Sequence, residues 1–67
     1  MTEQIGFIGL GNMGAPFAAR LLSAGERLQI CDVRAEAVAQ FAARGAVACA
    51  SPRAVAAAAE IVFMSLP

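Results

Sequence analysis

Along this chain, short apolar runs alternate with stretches in which apolar residues recur every three or four positions. Gln4–Gly9, read as QIGFIG, is a short apolar run in which Ile5, Phe7 and Ile8 suit a strand buried on both faces. Met13–Ala24 has helical spacing, with Phe17, Leu21 and Ala24 on one stripe, Leu22 beside it and Gly25 as the stop. Pro16 fits that helix only in its first turn, where the missing N–H has no helical partner to lose. Arg27–Val33 carries Leu28 and Ile30 in alternation and predicts a second strand ending at Asp32. Ala35–Arg44 predicts a second helix with Val38, Phe41 and Ala42 as its apolar stripe and Gly45 as its stop. Ala46–Ala48 is a short strand. Ser51–Ala58 is a short helix with Ser51 as N-cap and Pro52 at the first helical position, and Ile61–Ser65 is the last strand.

The order β-α-β-α-β-α-β with short connections predicts an α/β fold with a parallel sheet and right-handed crossovers. In a doubly wound arrangement such a half-sheet has the strand order 3-2-1-4. The chain then forms one partial domain, residues 1–67, with no linker and no internal repeat. Its last strand, in IVFMSL, presents an apolar outer edge that invites pairing. A partner chain or the rest of a longer parent protein is expected to cover it.

Charge and composition narrow the function classes. Five arginines balance five acids to a net charge of zero, and no basic stripe marks a nucleic-acid surface. The 60% hydrophobic content reflects alanine, and the apolar N-terminal run is broken by glycines and a proline. It therefore reads as neither a signal peptide nor a membrane span, and a cytoplasmic location is expected. Cys31 and Cys49 form no CxxC pair and no histidine accompanies them, which argues against zinc. They are read as reduced, buried thiols. A chain of this length buries only about 60% of the surface its unfolded form exposes, so a marginal fold is expected.

The glycines carry the candidate chemistry. Gly9, Gly11 and Gly14 have the spacing G-x-G-x-x-G, directly after a strand and opening a helix, and Asp32 stands eighteen residues beyond Gly14. That is the context of a dinucleotide-binding fingerprint in a Rossmann-type sheet. Gly9 permits the tight turn, Gly11 lets the backbone approach a pyrophosphate, and Gly14 allows close packing of helix on strand. Free N–H groups and the dipole at the helix start favour the phosphates. Asp32, at the end of the second strand, can accept both hydroxyls of the adenine ribose and would repel a phosphate there. Leu10, Asn12 and Met13 on the loop, and Val33 and Arg34 after the aspartate, join the candidate cofactor contacts. Two simpler roles compete: Asp32 as N-cap of the second helix, and Arg34 as a solvated side chain. Arg34 could also hold a 2′-phosphate, but beside Asp32 the balance favours NAD over NADP. Leu66 and Pro67 fall at the end of the fourth strand, beside the switch point where ligands bind, and are expected to border the cofactor.

The segment GFIGLGNMGAPFAARLLSAG resembles the N-terminus of the β-hydroxyacid dehydrogenase family, which includes hydroxyisobutyrate, tartronate semialdehyde and phosphogluconate dehydrogenases. The pattern G-[FL]-I-G-L-G-x-M-G matches from Gly6 to Gly14, and Ala18, Leu21 and Gly25 match as well. CDVRAEAV is similar to the second strand of NAD-preferring members, and IVFMSLP to a segment whose Leu66 and Pro67 would contact the cofactor. The resemblance implies hydride transfer between a nicotinamide ring and a β-hydroxyacid, with a downstream lysine as general acid–base. This chain has no lysine, histidine or tyrosine, so it is read as the cofactor-binding part of such an enzyme, not expected to catalyse alone. Two other readings stand beside it. One is a non-catalytic nicotinamide-binding sensor or assembly module. A weaker one is a flavin or S-adenosylmethionine site.

Overall fold

The computed structural model describes residues 3–11 and 14–64. Strand β1 (Gln4–Ile8) leads to helix α1 (Gly14–Ser23), strand β2 (Arg27–Cys31), helix α2 (Ala35–Ala43), the short strand β3 (Val47–Ala48), helix α3 (Pro52–Ala58) and strand β4 (Ile61–Met64). The four strands form one parallel sheet in the order β3-β2-β1-β4. This is the expected first half of a Rossmann-type sheet. Strands β1, β2 and β3 and helix α2 are one or two residues shorter than their hydrophobic patterns: β2 ends before Asp32, and Arg44 lies past the end of α2. Met13 and Ser65, expected in α1 and β4, lie outside the described residues. Helices α1 and α2 close with glycines at positive φ, Gly25 and Gly45 respectively. In each case the next residue reaches back, Glu26 N–H to the Leu21 carbonyl and Ala46 N–H to that of Phe41, satisfying carbonyls the helix leaves open.

Strand register decides which face each side chain takes. Ile5 stands beside Leu28 and Phe7 beside Ile30, and these four side chains are buried with Leu10, Ala18, Phe41 and Ala46 under α1 and α2. The helix stripes differ in detail from those expected. On α1 the buried line is Gly14 and Ala18, with Leu21 and Leu22 packed at its margin, whereas Ala24 is exposed. On α2, Phe41 is buried and Val38 partly so, but Ala42 is exposed. On α1 the small Ala18 takes the buried position facing the core. Phe17 is displaced to the flank and remains 42% exposed. It still meets Phe7 and Phe63 edge-on, at centroid distances of 5.8 and 5.1 Å, while Phe7 and Phe63 stack at 5.3 Å.

The opposite face is covered by α3. Ser51 caps it as expected, its hydroxyl accepting the Ala54 N–H at 3.2 Å with Pro52 at the first helical position. Val55, fully buried, lies directly over Gly6. A Cβ on Gly6 would come within 2.6 Å of Val55 Cγ1 and 3.0 Å of Ala59 Cβ. Gly6 is therefore required by the approach of the helix, a constraint the phosphate-loop pattern does not express. Beside α3, Gln29 donates to Gln4 Oε1 at 2.9 Å and accepts from the Cys49 thiol at 3.5 Å. Cys31 and Cys49 are both free and half-buried, less enclosed than expected. All four residues of β4 are exposed, and among the described residues nothing pairs with its outer edge.

Two outcomes test this packing by denaturant unfolding of the intact protein. Gly6→Ala is expected to destabilise by about 1–3 kcal/mol, because buried Val55 has few rotamers to escape into. Adding Val55→Ala should recover part of that loss. Ser51→Ala should cost about 1 kcal/mol through the lost cap.

Candidate functional site

The site grows from the end of β1. Gly9 extends the ladder, its N–H donating to the Cys31 carbonyl at 2.8 Å, and turns the chain at φ 91°, a conformation that favours glycine. Leu10 then drops its side chain into the core with no exposure. The Gly11 carbonyl accepts the Ala15 N–H at 2.9 Å, so helical bonding begins at the loop itself. Gly14, the first residue of α1, is buried against the sheet. Pro16 falls in the first turn, the place where proline is tolerated. The loop and the start of a ten-residue helix thus meet at the carboxyl end of the sheet, where backbone N–H groups suit an anion.

Asp32 follows β2 on the neighbouring strand. Its Oδ2 accepts the Leu10 N–H at 2.6 Å, and its Oδ1 accepts the Arg34 N–H at 2.8 Å. The side chain is only 6% exposed. The hydrogen bond from the Arg34 backbone, with those from Leu10 and the Arg34 guanidinium, holds the carboxyl below its ordinary pKa; burial opposes this and loses. Asp32 is therefore an ionised acceptor fastened to the glycine loop. It is not the N-cap of α2. Arg34 occupies that position, with extended backbone and no side-chain cap bond. The Asp32 carboxylate turns instead to the Arg34 N–H two residues on, a local bond open to aspartate outside a helix.

Arg34 also departs from a simple solvated side chain. It is about half exposed, yet its Nη2 donates to the Leu10 carbonyl at 2.9 Å and its Nε approaches Asp32 Oδ1 at 3.4 Å. Val33, between them, is fully exposed. A cleft of about 470 Å³ opens between the loop and the two helices, lined by Gly11, Pro16, Arg34, Glu36 and Gln40 among others. Of the candidate residues, Gly9, Leu10, Gly11, Gly14, Asp32 and Arg34 are brought together, whereas Asn12, Met13, Leu66 and Pro67 lie outside the described residues. Glu36 and Gln40 were not singled out by sequence. Their spacing of four places them on one face of α2, a signal too common among solvated faces to be read as a site.

Residues 4–67 match the NAD-binding domain of 6-phosphogluconate dehydrogenase. The chain is 46% identical over 63 residues to 3-sulfolactaldehyde reductase of Escherichia coli, covering 94% of this chain and 21% of that protein. It is 48% identical over 64 residues to 2-(hydroxymethyl)glutarate dehydrogenase of Eubacterium barkeri, covering 96% of this chain and again 21% of the relative. The structure superposes on 3-hydroxyisobutyrate dehydrogenase of Mycobacterium tuberculosis, solved with L-serine, with a TM-score of 0.87 and 39% identity, covering all of this chain and 23% of that one. The chain thus spans about a fifth of the length of the curated relatives it matches. With the family model matching residues 4–67 and the whole chain superposing on a 3-hydroxyisobutyrate dehydrogenase, the chain belongs to the β-hydroxyacid dehydrogenase family, within the NAD-binding domain of the 6-phosphogluconate dehydrogenase type.

Proposed function

We propose that this chain is the cofactor-binding part of an oxidoreductase that moves a hydride between NAD and a β-hydroxyacid. The observation that carries the reading is the ionised Asp32 carboxylate fixed beside the glycine loop. Among the described residues Oδ2 holds one donor, the Leu10 N–H, and a carboxylate oxygen has room for a second. A ribose hydroxyl suits that vacancy, while a 2′-phosphate would meet like charge. NAD is therefore preferred over NADP. Gly9, Gly11 and Gly14 would let the pyrophosphate lie against the loop backbone and the start of α1. Asn12 and Met13 on that loop, Val33 beside Asp32, and Leu66 and Pro67 after β4 complete the proposed cofactor contacts.

The bound nicotinamide supplies the hydride chemistry; what this chain supplies is binding and orientation. Its sequence holds no lysine, histidine or tyrosine, so the proton donor for carbonyl reduction belongs to the remainder of a longer parent protein. That remainder would also cover the apolar edge of β4. The alternative, a nicotinamide-binding module without catalysis, would bind the cofactor equally and show no turnover with any β-hydroxyacid.

Titration of the intact protein with NADH and with NADPH tests the reading. NADH should bind more tightly. Asp32→Asn, which keeps the shape and removes the charge, should weaken NADH about tenfold and narrow the gap to NADPH. Unchanged affinities for both would leave Asp32 a purely structural residue. The low carboxyl pKa gives a second expectation. A depressed pKa keeps Asp32 charged through the ordinary carboxylate range, so affinity for NAD⁺ should stay flat from about pH 8 to about pH 5. It should fall only at pH values below the ordinary carboxylate range, where the carboxylate takes up a proton. A decline centred near neutral pH would contradict this.

A further inference from the structure

Leu10 sits between Gly9 and Gly11, the residues with least conformational restraint in the loop. A loop so built should be loose, and ordering it on a ligand costs affinity. Yet Leu10 is held at three points. Its side chain is fully buried, its N–H is bonded to Asp32 Oδ2 at 2.6 Å, and its carbonyl to Arg34 Nη2 at 2.9 Å. Both hydrogen bonds join a charged group to a backbone dipole, the stronger class of such bonds. Asp32 and Arg34 are in turn tied to each other, through the Arg34 N–H at 2.8 Å and Nε at 3.4 Å, both to Oδ1. The acid takes the donor of Leu10 and the base takes its acceptor.

We propose that Arg34 is a positioning residue of the cofactor site, acting with Asp32 as a two-pronged clamp that sets the glycine loop before the pyrophosphate arrives. This rests on the reading of the loop as a dinucleotide cradle. The geometry uses one edge of the guanidinium: Nε faces the carboxylate and Nη2 faces the Leu10 carbonyl. Only a rigid planar fork presents two donors in that relation; a lysine ammonium supplies the charge without it. The clamp therefore separates Arg34 from its other candidate role. A ligand of the 2′-phosphate would act on NADPH alone and tolerate lysine. A clamp acts on NADH and NADPH alike and does not.

Arg34→Met and Arg34→Lys in the intact protein distinguish these roles, read in two ways. The first is amide hydrogen exchange at Leu10 without nucleotide. Both variants should speed exchange there about tenfold while the amides of β1 stay protected. The second is the affinity for NADH and NADPH, which should fall by similar factors of about ten in both variants. Loss confined to NADPH and restored by lysine would overturn the clamp in favour of a phosphate ligand. Unchanged Leu10 exchange in both variants would also overturn it. If the unaltered protein bound neither nucleotide, the cofactor reading would fail, and the exchange measurement would still decide the clamp.

Discussion

Strand β1 has helices on both faces and strands on both edges, and Gly6 is where that crowding is tightest. Everything at the site follows from how firmly this strand is held. With no side chain at Gly6, α3 lies close enough for Val55 to seal one face, while Ile5 and Phe7 fill the other beneath α1 and α2. A strand fixed in this way delivers Gly9 and Leu10 to one place at the carboxyl end of the sheet. Packing there has no slack of even one methyl group, as expected where protein interiors reach crystal-like density.

From that anchor the polar groups take over. Leu10 joins two systems, its side chain belonging to the core and its peptide groups to the second-strand end. The Asp32 carboxylate is almost enclosed, but each of its oxygens has a partner, and among the described residues no buried side-chain oxygen or nitrogen lacks one. Bonds from the backbone outweigh the cost of burial, so the group remains an anion. The same acid thus stabilises the loop and, in the proposed reading, offers an acceptor beyond it. The hydrogen bond to Leu10 is what places the carboxylate beside the glycines.

Among the described residues, the sheet is least covered at β4. β4 is exposed along its length, and Phe17 and Phe63 stand partly open beside it. The relatives extend well beyond the matched region, and this chain spans about a fifth of their length. An apolar parallel edge of this kind is normally covered by another strand or helix. The aromatic trio of Phe7, Phe17 and Phe63 joins that edge to the central strand.

Sequence by itself determined the element order, the parallel sheet and its 3-2-1-4 arrangement, because alternating strand and helix periods with short connections leave few topologies open. It determined the glycine loop, the Ser51 cap and the helix stops at Gly25 and Gly45, since each depends on a local backbone requirement that few residue types meet. Only tertiary structure decided the rest. Ala18 in place of Phe17 faces the sheet because helix height above the strands is set by three-dimensional packing, which spacing alone does not contain. Gly6 owes its identity to Val55, forty-nine residues away in sequence. Asp32 proved to be tied to Leu10, and Arg34 to the same residue, across twenty-two and twenty-four positions. Those contacts arise from the parallel register of β1 and β2, which brings Ile8 beside Cys31 and so sets the ends of the two strands together.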